Sequence, residues 1–186
     1  VSQFLPDVFF GDLDVLLIDM PPGTGDVAIS VGQLLPHADV LVVTTPQSAA
    51  SDVAVRSGLV ARQTGQRVIG VVENMAALTL PDGTTLDLFG SGGGEAVARA
   101  LSESDAGRDA VTVPLLGSVP LSPGLRAGGD TGTPIVATDP DDPAAQALMA
   151  AYPEDVVEAN GSEIVFASGR RMTLDDGRDK THEERL

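Results

Sequence analysis

A chain of 186 residues with a net charge of −16, no cysteine and 3% aromatic residues excludes several classes at once. Disulfides and thiolate-held zinc or iron–sulfur sites are impossible within it, and so acidic a balance argues against non-specific binding to nucleic acid or to an anionic membrane. At 42% hydrophobic residues the composition is that of a folded chain. With so few aromatics the core has to be built from Val, Leu, Ile and Ala, as in a parallel α/β sheet.

No apolar run reaches the roughly 20 residues that a membrane span needs. Val1 to Asp7 shows no basic region followed by an apolar one, so no signal peptide is expected and a cytoplasmic protein is. The first residue is Val rather than Met, which is compatible with processing, an unusual start codon or a fragment. Lys180 is the sole lysine.

Taken in order, Val1 to Asp12 is expected to hold a short helix or turn. Val15 to Ile18 is an apolar run closing on Asp19, which predicts a buried parallel strand with a carboxylate at its carboxyl end. Open α/β sheets bind ligands at such ends. Pro21-Pro22-Gly23-Thr24-Gly25 follows, a turn whose backbone N–H groups lie beside bare glycines and suit a terminal phosphate. The plainer reading is a strand-to-helix turn with Asp26 as N-cap; the full string favours a nucleotide.

Val27 to Leu35 reads as a helix with Val27, Val31 and Leu34 on one face, stopped by Pro36. Val40 to Thr45 is a strand ended by Pro46. Ser48 to Thr64 is a long helix with Val53, Val55, Leu59 and Val60 as its apolar positions. Val68 to Glu73 is a further strand, closed by Asn74. Pro81-Asp82-Gly83 predicts a hairpin between Leu78–Leu80 and Thr85–Leu88. Gly90 to Gly94 leads into a helix from Glu95 to Ser102, Glu103 to Asp109 is a polar loop, and Val113 to Val119 is a strand bounded by Pro114 and Pro120. Ser122 to Ala127 suggests one or two helical turns, Gly128 to Gly132 a loop, and Asp139 to Pro143 the start of a last helix reaching Tyr152. Beyond Pro153, Glu163–Phe166 and Arg171–Leu174 could pair as strands, and Asp175 to Leu186 is expected to be disordered. Alternation of strands and helices predicts right-handed crossovers and a mostly parallel sheet flanked by helices. The expected domains are 1–152 and an acidic tail, 153–186.

If the strands are parallel, Asp19, Thr44-Thr45-Pro46, Glu73-Asn74 and Pro120 converge on one rim. Asp19 can serve Mg²⁺ there, Asn74 can donate and accept at an adenine edge, and Pro120 can wall the base. Asn, Thr and Pro are also ordinary turn formers at strand ends, so for Asn74 alone both readings stay open. Gly90 to Gly94 is not a phosphate loop, because no Lys-Ser/Thr follows and Glu95 would repel a phosphate; it reads as a flexible link and helix start. His37 and His182 have no cysteine partners, no serine has a nucleophile-elbow setting, and Asp141-Asp142 and Asp175-Asp176 read as surface charge.

The strings Asp14 to Asp26, Val43-Thr44-Thr45-Pro46-Gln47, Gly70 to Met75, Phe89 to Gly93, Leu116 to Leu121 and Gly128-Gly129-Asp130 occur together in the order and spacing of the Mrp/ApbC proteins, and residues 1 to 150 resemble that family. Its members are MinD-like P-loop ATPases that act as iron–sulfur cluster carriers. The resemblance implies that Asp19 lies in the Mg²⁺ shell and has the catalytic role, that Pro22, Gly23 and Thr24 bind the phosphate end of ATP with Gly23 at the γ-phosphate, and that Asn74 and Pro120 line the adenine. It also implies a homodimer and apo-protein acceptors for the cluster.

Two departures stand out. The family's lysine-bearing phosphate loop is absent, so the chain is expected to be an N-terminally truncated P-loop domain. Hydrogen bonds to charged groups contribute about 1.5–3 kcal/mol each, so losing several removes most ATP affinity. Where many members carry Cys-x-x-Cys, this chain has Ala76-Ala77-Leu78-Thr79-Leu80-Pro81-Asp82-Gly83. The function expected from the resemblance is ATP-dependent iron–sulfur cluster carriage or assembly. The alternatives are a non-catalytic dimerising module or inactive fragment, with an exposed apolar sheet edge, and a MinD/ParA-like positioning ATPase, whose membrane form lacks support because no basic amphipathic helix is visible.

Overall fold

The computed structural model describes residues 7–12, 15–80, 82–103, 111–151, 156–160, 163–166 and 171–173. By internal contacts the chain divides into two units, Val1–Leu121 and Ser122–Leu186. The division expected after residue 152 falls inside the second.

The first unit runs α1 (Asp26–Leu34), β1 (Asp39–Thr44), α2 (Ser48–Gln63), β2 (Arg67–Ala76), β3 (Leu78–Thr79), β4 (Thr85–Leu86), α3 (Gly93–Glu103) and β5 (Leu115–Pro120). β2 is the middle strand of a sheet ordered β1-β2-β5, and both pairings are parallel, as expected. A helix lies in each crossover, α2 between β1 and β2 and α3 between β2 and β5, which is how a parallel sheet covers its face. The core joins Val42, Val68 and Val71 of the strands to Ala54 and Ala61 of α2 and to Val97, Ala98 and Leu101 of α3, with Val113 beside them. Val42 and Thr44 are buried on this face, whereas Leu41 and Val43, on the other, are 47% and 58% exposed.

Val15 to Asp19 does not form the expected strand. Val15, Leu16, Leu17 and Ile18 are all exposed, Leu17 at 86%. A strand requires a neighbour to take up its N–H and C=O groups. Within the sheet β1 pairs only with β2, and no strand among the described residues lies beside residues 15–19.

Two helices differ in detail. α1 begins at Asp26 with Gly25 as N-cap, so Asp26 is the first helical residue and its carboxylate meets the positive helix end rather than capping it. Of the face expected for α1, only Val31 is buried, with Gly32; Val27 and Leu34 are exposed. In α2 the buried positions are Ser51, Ala54, Gly58 and Ala61, while Val53 is exposed and Val55 and Leu59 pack only partly against the core. Small residues let α2 approach α3 closely. A Cβ on Gly58 would stand 2.8 Å from Cδ2 of Leu101, which is fully buried.

The expected hairpin forms, with Leu78 opposite Leu86 and Thr79 opposite Thr85. Gly83 takes φ +84° in its turn, and Pro81 lies outside the described residues. Asp82 Oδ1 accepts the Thr84 N–H at 2.9 Å, and hydrogen bonds from Thr84 hold the Asp82 carboxyl below its usual range. At the amino end of the sheet, Asp39 and Arg67 are register partners joined by a two-bonded fork, Nε to Oδ1 at 2.8 Å and Nη2 to Oδ2 at 2.9 Å.

In the second unit, α4 (Pro123–Thr131) is capped by Ser122, whose Oγ accepts the Leu125 N–H at 3.1 Å. The helix continues through Gly128-Gly129-Asp130, where a loop was expected. Gly128 is buried, and a Cβ there would lie 2.5 Å from the Thr133 carbonyl, so this glycine serves close approach rather than a turn. Gly132, at φ +71°, ends the helix. α5 (Ile135–Thr138) was not anticipated. α6 (Pro143–Ala150) is capped by Asp142, whose Oδ1 accepts the Ala144 N–H at 2.7 Å. β6 (Val156–Asn160), β7 (Glu163–Phe166) and β8 (Arg171–Thr173) form an antiparallel sheet in that order; β7 and β8 pair as expected, and β6 is additional. The expectations for residues 1–6, for the loop at 104–109 and for disorder in 175–186 lie outside the described residues.

Two outcomes follow from this packing. Leu101→Ala should lower unfolding free energy by about 2–5 kcal/mol, read from the urea midpoint at unchanged slope. Arg67 holds the Asp39 carboxyl below its usual range. The fork's stabilisation is therefore complete above the ordinary carboxylate pKa and lost as pH falls through the lowered one, and Asp39→Asn should flatten that acid-side loss in urea midpoints measured downward from pH 5.

Candidate nucleotide-base site

The carboxyl ends of β2 and β5 lie side by side. Glu73 pairs in register with Ser118 and Ala76 with Pro120. Asn74 and Pro120 therefore share one rim, where ligands of parallel α/β sheets bind. Three residues of β2 span the step that two residues of β5 span, so Asn74-Met75 forms a bulge. Met75 takes φ +56°, the left-handed region, which costs a non-glycine residue on the order of 1–2 kcal/mol. Its N–H donates to Oδ1 of Asn74 at 2.8 Å.

Glu73, one residue earlier, is buried at 6% exposure. Its Oε2 accepts the Gly94 N–H at 2.7 Å, at the first turn of α3. The expectation that Gly90 to Gly94 is not a phosphate cradle gains a physical reason: a carboxylate already satisfies that helix end. The run is also more tightly packed than a simple link. A Cβ on Gly93 would stand 2.5 Å from the Thr45 carbonyl, and one on Gly94 2.8 Å from Leu115. Ser51 Oγ adds a hydrogen bond to the Gly93 carbonyl at 3.4 Å.

The Pro-Pro-Gly-Thr-Gly turn lies elsewhere on the unit. Gly23, at φ +91°, offers its carbonyl to Oγ of Ser57 at 3.3 Å. Ser57 is nine residues along α2 from Ser48, about 13 Å down the helix from the end nearest the rim. A Cβ on Gly23 or Gly25 would meet nothing within 4 Å, so both are open to an approaching group. Asp19 is exposed, and its side chain makes no hydrogen bond or ion pair among the described residues; the same holds for the Thr24 hydroxyl. The structure thus brings Asn74 and Pro120 together and fastens Gly23, with Pro22 and Thr24 on either side of it, to α2.

Positive charge is scarce. Lys180, the only lysine, lies outside the described residues. In the first unit Arg67 is engaged by Asp39, Arg62 donates to the Leu101 carbonyl and Arg56 to the Asp52 carbonyl, while Arg99 is exposed. No group of three or more His, Asp or Glu residues could hold a metal ion among the described residues. The donor set accordingly fits the base of a nucleotide: an amide head, a proline wall and open backbone. It does not by itself fit a triphosphate. In the second unit an apolar hollow of about 330 Å³ is lined by Leu125, Pro134, Ile135, Val136 and Leu148 with three glycines, and no charged side chain enters it.

Sequence reasoning placed Glu73 at the rim but missed its tie to Gly94, and it missed the parts played by Met75 and Ser57. An acid directly after the run Val68 to Val72 was a usable signal for that tie. Nothing in the letters signals a left-handed methionine.

A parallel sheet with a helix in each crossover defines the open α/β class, which takes ligands at the carboxyl ends of its strands. A solved structure similar to it is the nucleotide-binding protein of Archaeoglobus fulgidus in complex with ADP, 34% identical with a TM-score of 0.57, covering 71% of this chain and 51% of that one. The family model for the NUBPL iron-transfer P-loop NTPases matches residues 1–154, and the chain belongs to that family. Among curated relatives, an iron–sulfur cluster carrier protein of Mycobacterium tuberculosis is 62% identical over 141 residues. One of Synechocystis is 45% identical over 152 residues. The matches cover 76% and 81% of this chain but 36% and 40% of those proteins, so the chain spans little more than a third of the length of these relatives.

Glu73→Ala should cost about 1.5–3 kcal/mol in unfolding free energy, because the Gly94 N–H loses its charged acceptor inside the protein. Glu73→Gln, which keeps an acceptor, should cost less; chemical denaturation of both variants reads the difference.

Proposed function

We propose that this chain is the adenine-binding part of an ATP-dependent iron–sulfur cluster carrier that works in the cytoplasm. The observation that carries the proposal is the shared rim of Asn74 and Pro120, in a family of iron-transfer NTPases. Asn74 and Pro120 hold the base, and Pro22, Gly23 and Thr24 supply backbone groups for the phosphates. Asp19 holds Mg²⁺ through water, and the ion offsets triphosphate charge when bound. The cluster is cargo for apo-protein acceptors. With no cysteine, this chain supplies none of the thiolates that would hold it.

The lysine charge that a triphosphate calls for is not among these residues, so the chain alone binds ATP weakly and does not turn it over. Titration with a fluorescent ATP analogue should show weak binding, reduced about tenfold or more by Asn74→Leu, since one or two hydrogen bonds to the base are lost. Steady release of phosphate from ATP by the purified chain with Mg²⁺ would contradict the inactive reading.

A second reading has its own observation. Leu41 and Val43 are exposed on β1, whose outer edge is unpaired within its sheet. Such an edge favours pairing with another chain, and homodimerisation is the simplest outcome. Sedimentation across a hundredfold range of concentration should show self-association; a monomer at every concentration counts against this reading.

A further inference from the structure

We propose that Met75 is the positioning residue that sets base selectivity at this rim, by fixing the donor–acceptor order of the Asn74 carboxamide. The proposal rests on the reading that the rim holds the base of a nucleotide. Its physical basis is the left-handed Met75 inside the register shift at the strand ends, where ligands of parallel sheets bind; two further shifts, at Val40/Leu41 and Val71/Val72, lie elsewhere in the sheet. Among the described residues Met75 is the non-glycine residue at positive φ, and a strained residue at a ligand rim persists only where its surroundings hold it there.

The left-handed turn aims the Met75 N–H at Asn74 Oδ1, 2.8 Å away. Only an acceptor can face that N–H, so the oxygen end of the amide is fixed by chemistry and the head cannot flip. Nδ2 has no hydrogen-bond partner among the described residues, and Oδ1 keeps a second lone pair. The head therefore presents one acceptor and one double donor in a set order.

Adenine shows the complementary pair on its Watson–Crick edge, the N6 amino donor beside the N1 acceptor. Guanine shows the reverse order there, the O6 acceptor beside the N1–H donor. Against the clamped amide O6 of guanine must face Oδ1 and its N1–H must face Nδ2–H₂. Rotating the amide to relieve this would turn Nδ2–H₂ against the Met75 N–H. The clamp thus converts a side chain that could adapt to either base into one that accepts adenine and rejects guanine.

The test uses the full chain, with ATP and GTP competing against a fluorescent ATP analogue, and amide exchange followed by NMR without nucleotide. The unaltered chain should favour ATP over GTP by about tenfold or more, the discrimination of one bidentate pair. Met75→Val, whose branched side chain resists the left-handed region, should bring that ratio close to one by freeing the amide to turn and so strengthening GTP, with ATP little changed. Met75→Gly, which keeps both the N–H and the conformation, should retain the ratio. A purely structural role would weaken both nucleotides together and leave the ratio unchanged in Met75→Val, which overturns the proposal.

The exchange measurement stands without ligand and without the valine variant. The Met75 amide proton should be protected in the unaltered chain and exchange at least about tenfold faster in Asn74→Ala, as expected when a single hydrogen bond is removed. An unprotected Met75 amide overturns the clamp whatever the nucleotides do. A protected amide in a chain for which neither nucleotide competes at millimolar concentration overturns the base reading, and the selectivity with it.

Discussion

The buried bond between the Glu73 carboxylate and the Gly94 N–H is the constraint on which the rim depends. It joins the end of the central strand to the start of α3, so the strand cannot shift along the sheet without unseating the helix. Around it the glycines are fitted rather than loose: Gly93 meets the backbone after β1, and Gly94 meets Glu73 itself and Leu115 of β5. Three strands and a helix thus share one anchoring point. Asn74 inherits its place from that anchor, because it is the next residue along.

Much of the first unit was legible in the sequence. Apolar runs gave β1, β2 and β5 to within a few residues. Asp82-Gly83 gave the hairpin, and in the second unit Ser122 marked the start of α4. These features are local: a turn residue or a cap acts through its own backbone, so its signal survives without knowledge of neighbours. The strand expected at Val15 to Asp19 failed because strand formation is not local. The residues have the composition, but among the described residues no strand lies alongside to complete their ladder. The face of α2 was misread for a different reason. Periodicity weighs bulk, whereas the close contact with α3 selects Ser51, Ala54, Gly58 and Ala61 for their lack of it.

The site was legible in the same uneven way. Asn74 and Pro120 follow from the rule that parallel strand ends converge, and the register bears this out. The bulge that aims Asn74 leaves no mark in the letters, because a left-handed position usually announces itself as glycine or asparagine and here is methionine. The turn around Gly23 was read for its open backbone, and the structure adds the Ser57 tie, a contact thirty-four residues away in sequence. The sheet itself thus carries the residues proposed for the base, and those proposed for the phosphates lie on a lysine-free segment tied to α2 by Ser57.

The seat of Leu101 over Gly58 has a consequence for how this molecule can change over time. The two positions fit as a projection fits a notch: any side chain at 58 collides with Leu101, and any trimming of Leu101 leaves the notch empty. Neither residue can drift freely, yet a small residue at 101 would admit a larger one at 58. Across descendants of this chain the two sites should therefore exchange bulk in concert, each substitution tolerated only in the company of the other.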